Sequence, residues 1–357
     1  MLATLCLLVV LVGFATPAHA KSSKGLRLAF INGFSAPQDV FTVDPGHGNG
    51  NGAKSSGPAE QVTDVGEVLQ LRWSPAGNLF AIQTVPFGTI IVMAADGSDP
   101  RVVATDAFLG EFSPDGGRLA LVREAGGNDD IWIVDLATGA LTPTVTFAVE
   151  GFTSHLAWSP DGTRLAFDRT DCPGGTGCSE PQLIVVDAGG TARNTVAVGT
   201  DPSWSPDSLQ LAFSGPLGEV RVVAAAGGAA RTIATRTLGA PTVLAWQPTG
   251  KVIAFFTGDQ NPLEDTFSIA TVRPDGTKLD SLRLKGFSAF DLAWSPSGKD
   301  LAFGASYETP DGFAFDVFGV NQHLGALRNL TNTGVAFGSE WAPAPTGRHD
   351  PVSVPGP

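Results

Sequence analysis

Charge is scarce in this chain, and positive charge scarcest. Only 16% of the 357 residues are charged, and 22 Lys and Arg face 35 Asp and Glu. Soluble domains average roughly 25% charged residues. The net charge of −13 leaves no basic footprint for nucleic acid, and an anionic membrane surface would repel it. Long apolar runs are missing as well. After the N-terminus no stretch approaches a membrane-spanning length, so no transmembrane segment is expected. What the chain has in excess is Gly 44 and Pro 26. Without a Gly-X-Y period this excludes collagen, and 43% hydrophobic residues exclude a disordered chain. A turn-dense, all-β globular protein remains.

The first twenty residues read as a secretion signal that would place the mature chain in the periplasm or outside the cell. Leu5 to Gly13 form a short apolar core, and Ala18-His19-Ala20 ahead of Lys21 supplies a small-x-small cleavage site. The segment before the core, Met1 to Thr4, lacks the usual Lys or Arg. Leu5 stands before Cys6 where a lipoprotein needs a small residue, so lipidation is not expected. Cleavage after Ala20 leaves Cys172 and Cys178, flanking Pro173-Gly174-Gly175-Thr176-Gly177. This flexible loop lets the sulfurs meet, and one structural disulfide worth about 2 kcal/mol is expected. A redox motif needs two intervening residues and a zinc site needs a neighbouring His; neither is present.

One unit recurs along the chain: aromatic-Ser-Pro-x-Gly, two residues, then Leu-Ala-Phe. Trp158-Ser159-Pro160-Asp161-Gly162 with Leu165-Ala166-Phe167 is the clearest copy. The motif aromatics are Trp73, Phe112, Trp158, Trp204, Trp246, Trp294 and Trp341, which use six of the seven tryptophans; Trp132 is the exception. The associated prolines fall at 75, 114, 160, 206, 248, 296 and 343. A spacing of about 45 lies in the range of four-stranded propeller blades. Ser-Pro-Asp-Gly suits a type I turn closed by a left-handed residue. Ala between two large residues lets neighbouring sheets approach. Ser208 replaces the turn glycine in the Trp204 copy, and a looser turn is expected there. Apolar runs such as Asp130-Ile131-Trp132-Ile133-Val134-Asp135 supply a third strand, and Arg101 to Ala104 and Arg231 to Ala234 a fourth.

The ends complement each other. Leu26 to Phe30 is a Leu-Ala-Phe strand without a preceding motif, and Trp341-Ala342-Pro343 is a motif without a following strand. The expected fold is therefore an all-β, seven-bladed propeller of four-stranded antiparallel blades over residues 21–343. Its closing blade takes the innermost strand from the C-terminus and the others from the N-terminus, which removes exposed sheet edges. Six blades is the alternative if the N-terminal segment forms no sheet. The glycine-rich stretch from Asp44 to Glu60 reads as a mobile loop, and the Pro-rich segment 344–357 as a disordered tail.

These repeats resemble the TolB-like propeller family, whose WD-repeat-like blades carry W-S-P-D-G-x-x-L-A-F followed by an Ile-Tyr-Val-Met-Asp strand. The resemblance runs over roughly residues 25 to 343. It implies a propeller that binds protein. Periplasmic TolB itself has a six-bladed propeller, contacts a peptidoglycan-associated lipoprotein through it, and carries an extra N-terminal domain. That domain is not expected here, because nothing separates the signal from the first strand. Similar blades accompany peptidase domains in the prolyl-oligopeptidase and tricorn-like families.

Chemistry is thinly marked. There is no Gly-x-Ser-x-Gly elbow and no HExxH motif, and His47, His155, His323 and His349 stand apart. His155, just before the Trp158 motif, reads as structural. Asn128-Asp129-Asp130, and Asp168 with Asp171, lack calcium-loop spacing, so a channel calcium is only left open. Gly50 to Ser55 lacks the Gly-Lys adjacency of a phosphate loop. Asn329-Leu330-Thr331 fits a glycosylation acceptor. The motif tryptophans read as core rather than as a sugar-stacking ladder. No catalytic, cofactor or metal-binding residue is assigned. The expected role is a non-catalytic, monomeric binding scaffold for a protein or cell-envelope component. A lactonase-type hydrolase with a channel metal, and a carbohydrate- or peptide-binding propeller, are the alternatives.

Overall fold

A computed structural model describes residues 27–33, 38–44, 58–85, 88–125, 127–175, 177–235, 243–258, 266–310 and 312–343. The expected signal peptide and tail, His47, His349 and the Gly50 to Ser55 stretch lie outside these residues. The described chain is all-β apart from a single 3-10 turn at Pro173–Gly175. It forms antiparallel sheets taken in sequence order. One runs Val68–Trp73, Leu79–Thr84, Thr89–Ala94, Arg101–Ala104; others start at Thr200–Trp204 and Leu244–Trp246 with the same four-strand path. The units beginning at Ala107–Phe112 and Gly151–Trp158 share one eight-stranded sheet, joined by a single parallel pair, Asn128 with Gly151. In the unit near residue 300, the short strands Phe287–Ala289 and Ala293–Trp294 both pair with Asp300–Thr309.

The two ends of the described chain meet. The closing sheet is ordered Ala336–Trp341, Leu28–Asn32, Asp39–Val43, Glu60–Gln61, with Leu28 opposite Trp341. Its outermost strand takes Glu60 from the end of the stretch read as a mobile loop.

The motif forms its turn for the expected reason. Gly116 N–H donates to Ser113 O at 2.7 Å and Gly162 N–H to Ser159 O at 2.8 Å, with φ of 72° and 71°. The serine hydroxyl then accepts the N–H five residues on, as Ser159 Oγ does from Arg164 at 2.9 Å. Ser208 does not loosen its turn. It holds the left-handed φ of 62° and donates to Ser205 O at 2.9 Å. Its hydroxyl also accepts Asp161 N–H from the preceding unit at 3.0 Å, which offsets the cost of a Cβ in that conformation. Four of the turn glycines lie against the previous unit's proline, Gly162 on Pro114, Gly116 on Pro75, Gly77 on Pro343 and Gly250 on Pro206, whereas Gly298 lies against Gln247 and Thr249.

The core lies between sheets. Leu165, Ala166 and Phe167 are fully buried, but they face opposite ways because strand side chains alternate. Leu165 and Phe167 pack with Trp158 and Ile133, whereas Ala166 packs beneath Trp204, Leu211 and Phe213 of the next unit. Ala120 likewise lies with Trp158, Ala212 with Trp246, and Ala254 with Trp294. Ala302 continues the series with Leu28, Phe30 and Trp341, and Ala29 with Trp73 and Phe80. The succession of interfaces thus returns to the sheet where it began.

Buried aspartates anchor the loops that carry the chain inward. Asp316 Oδ1 accepts Thr331 Oγ1–H, Thr333 N–H and Gly334 N–H at 2.6, 2.7 and 3.1 Å. Asp39 Oδ1 does the same for Thr63, Val65 and Gly66. The Cys172–Cys178 disulfide is present, with an S–S distance of 2.02 Å.

Candidate functional site

The innermost strands stand around a cavity of about 920 Å³. Its wall takes Gln70 and Arg72 from Val68–Trp73, Phe108 to Glu111 from Ala107–Phe112, and Phe152 to Trp158 from Gly151–Trp158. Asp201 to Trp204, Leu244 to Trp246, Leu292, Trp294 and Asp129 also border it, with Val122, Pro160 and Pro248.

The position immediately before each motif aromatic sets much of this wall. It holds Arg72, Glu111, Ala157, Ser203 and Ala245 in the wall, while Ala293 and, on the adjoining C-terminal strand, Glu340 hold the same position outside the lining. Three of these side chains tie neighbouring sheets together. Glu340 Oε2 accepts Trp73 N–H at 2.9 Å, Glu111 Oε2 accepts Trp158 N–H at 3.3 Å, and Ser203 Oγ accepts Trp246 N–H at 2.9 Å. The acids are costly to ionise in this setting. Burial pushes the Glu340 carboxyl up to about 7 and Glu111 adds like-charge repulsion, against the opposing charge of Arg72. Burial raises Glu111 too, with Arg72 and the Trp158 N–H opposing. Asp291 is likewise raised by burial, although it accepts hydrogen bonds from Ser339 N–H and Gly304 N–H.

His155 and Asp168 make a second feature of the wall. His155 Nδ1 shares a hydrogen bond with Asp168 Oδ1 at 2.7 Å, and that oxygen also accepts Asp201 N–H at 3.0 Å. Register breaks between Ser154 and Ala157, and between Thr200 and Ser203, mark bulges here. His155 and Asp201 adopt φ of 47° and 61°, a strained conformation for residues other than glycine. The Asp168 hydrogen bond raises the His155 pKa above 6.5; burial opposes this and the Asp201 charge adds to it.

All the motif aromatics are buried. Trp158, Trp204, Trp246 and Trp294 present part of their surface to the cavity wall. Three of their indole N–H groups bind the preceding unit: Trp158 Nε1 donates to Glu111 O at 3.1 Å, Trp204 to Ala157 O at 3.2 Å, and Trp294 to Ala245 O at 3.0 Å, whereas Trp246 Nε1 donates to Gly250 O of its own turn at 3.5 Å. Neither Cys172 nor Cys178 borders the cavity. The two acidic groups do not converge. Asp171 pairs with Arg169 Nε at 2.8 Å, Asp168 holds His155, and Asp130 accepts Phe147 N–H. Among the described residues no group of three His, Cys, Asp or Glu could hold a metal ion. Asn329 is engaged internally, donating to Asp316 Oδ2 at 2.9 Å. His323 is exposed beyond a strand end.

Sequence reasoning missed Arg72, Glu111, Glu340 and Asp291, and the wall position of His155. For Arg72, Glu111 and Glu340 the accessible signal was the residue preceding the motif aromatic; Asp291 and His155 stand three residues ahead of theirs. Phe108 and Phe152, 55% and 62% exposed, were also missed. They border the cavity near the starts of their strands, at the end away from the Ser-Pro-x-Gly turns. No helix of the described residues is long and apolar enough to cross a membrane.

Residues 87–314 match the family model described as the TolB beta propeller domain. No curated protein sequence matches the chain. Among solved structures, TolB from Acinetobacter baumannii is similar at 14% identity and a TM-score of 0.50, with 88% of this chain and 82% of that one covered. An oligogalacturonate lyase in complex with manganese gives a TM-score of 0.59 at 14% identity, covering 87% and 86%. A puromycin hydrolase gives 0.64 at 16% identity over 86% of this chain, which spans about half, 52%, of that protein. At these identities the likeness concerns the fold alone. The family match covers well over half of the sequence and falls on the repeated sheets described above: the chain belongs to the TolB beta-propeller domain family.

Proposed function

We propose that this chain is a secreted or periplasmic, monomeric propeller of seven blades that binds a protein or cell-envelope partner at the mouth of its axial cavity. The blade count takes the eight-stranded sheet as two units, in keeping with the Ala-under-aromatic interfaces that lead from each unit to the next. The propeller would occupy 21–343, behind a cleaved signal at 1–20 and ahead of the 344–357 tail. The Cys172–Cys178 disulfide supports an oxidising compartment.

One observation carries the binding role. Several polar groups of the wall are engaged in holding adjacent strands: Glu111 by the backbone of Trp158, Ser203 by that of Trp246 and His155 by Asp168, with Glu340 on the adjoining strand held by that of Trp73. What the mouth offers outward is exposed aromatic surface at Phe108 and Phe152, and unsatisfied apolar surface marks interaction sites. An acid-lined cavity would also repel a polyanion such as oligogalacturonate.

The test is co-purification from envelope and culture-fluid fractions with the wild-type protein and a Phe108→Ser/Phe152→Ser variant. A partner retained by the wild type and lost from the variant is expected. A partner held equally by both, or turnover of a small substrate with no partner, overturns the reading. The His155–Asp168 pair favours a second reading, a hydrolase using His155 as general base. A lactone and ester panel, with His155→Ala as control, decides it, and metal analysis tests for a channel ion.

A further inference from the structure

Phe108 and Phe152 are unusual for their elements. Inner strands meet neighbours on both sides, and most of their apolar residues are buried, yet these two rings stand 55% and 62% exposed on the rim of one cavity. The lining carboxylates are Asp129, level with Phe152 through its bond from Thr153 N–H, Asp201, and Glu111 farther along toward the turns; the lining cationic groups are Arg72 and the ionisable His155. Arg72 already faces Glu111, Glu340 and Asp291, so the positive charge it contributes is opposed from three sides. The whole chain, at −13, adds an attractive field for cations.

We infer that the mouth takes a basic, extended peptide segment, whose Lys or Arg side chains meet the rings of Phe108 and Phe152 beside Asp129 and, farther in, Glu111. The inference rests on the binding role proposed above and names the partner's chemistry. Ring faces attract ammonium and guanidinium groups, and desolvated carboxylates gain from an incoming cation. Burial raises both Glu111 and Asp129, against the charges of Arg72 and Arg169 that already face them, and a further cation would favour their ionised forms. A cavity of about 920 Å³ admits a few side chains and no folded domain, which points to a flexible segment.

Fluorescence anisotropy with three labelled peptides of equal length, one Lys/Arg-rich, one Glu/Asp-rich and one uncharged, tests this on the intact protein. The basic peptide should saturate the wild type, weaken with added salt, and lose about tenfold in affinity on Phe108→Ser/Phe152→Ser. Asp129→Asn, which keeps an acceptor for Thr153 N–H, should weaken it too. The substituted phenylalanines are exposed, and circular dichroism checks that the variants fold. Equal or tighter binding of the uncharged or acidic peptide, still sensitive to the double substitution, overturns the cationic assignment but leaves the docking mouth. Basic-peptide binding that ignores the double substitution reflects diffuse surface charge and overturns both.

Discussion

The indole N–H of Trp294 donates to Ala245 O on the preceding unit at 3.0 Å, and Trp341 repeats the bond to Ala293 O at 3.0 Å. Trp73 sits in the same motif position, its ring tilted against Phe80 with centroids 3.8 Å apart, but its Nε1 is buried with no hydrogen-bond partner. The two sites separate packing from hydrogen bonding. Trp294→Ala should cost roughly 3–5 kcal/mol, as for other large core aromatics. Trp294→Phe keeps most of the packing and orphans a carbonyl, so a further loss of about 1 kcal/mol is expected beyond that at Trp73. Trp73→Phe removes a donor that satisfies nothing, and its ΔΔG should be the smaller of the two. Urea unfolding of the pair checks this; equal losses would mean that the indole bond does not join the units. Phe112, the natural aromatic without an N–H, shows that the ring tolerates one such replacement.

The Ser-Pro-Asp-Gly turn is the element that most of the fold depends on, and its aspartates make it acid-sensitive. Burial opposes ionisation of Asp161, but the hydrogen bonds from Ser159 and Thr163 and the charge of Arg164 together outweigh it and hold its pKa down at about 2. Asp115 and Asp207 are lowered chiefly by Ser113 and Ser205. A lowered carboxylate pKa stabilises the fold above the unfolded value and loses that contribution as pH falls through the folded one. Asp161→Asn should therefore be less stable than wild type at neutral pH, with the gap closing between 3.8 and about 2. A gap independent of pH, read from thermal melts across that range, would assign the effect to turn geometry alone. This turn was also the most legible part of the sequence, because the same residue types return at each copy and each type has one conformational job. Ser208 was misread because its compensating bond, to Asp161 N–H, comes from another unit some 47 residues away and leaves no local trace. The outermost Glu60–Gln61 strand escaped for a related reason: two residues carry no periodicity.

For the whole molecule, the closure was readable from complementary half-motifs at the two ends, whereas the cavity was not. A repeat advertises what is the same in every copy, and the wall is built from what varies: Arg72, Glu111, Ala157, Ser203 and Ala245, with Glu340 on the adjoining strand, share a register position but no single chemistry. Only the ring brings residues 72 and 340 together. That junction is also where closure meets pH. Glu340 lies on the latching strand, its Oε2 accepts Trp73 N–H at 2.9 Å, and burial lifts its pKa from 4.5 to about 7. A raised carboxyl pKa means the folded state binds more protons than the unfolded state between those values, so stability falls as pH rises through them. Glu111, Asp129 and Asp291 are raised as well. His155, also raised, loses its contribution as pH climbs past its folded pKa. The growing net negative charge acts in the same direction. The melting temperature should therefore peak on the acid side of neutrality and decline toward pH 8. Glu340→Gln keeps an oxygen for Trp73 N–H and removes the ionisation. It should be more stable than wild type at pH 8, with the advantage vanishing as pH falls from about 7 to 4.5. If Glu340→Gln instead destabilises at pH 8 as much as at pH 5, the latch needs the carboxylate charge, and the penalty assigned to burial is outweighed by its attraction to Arg72.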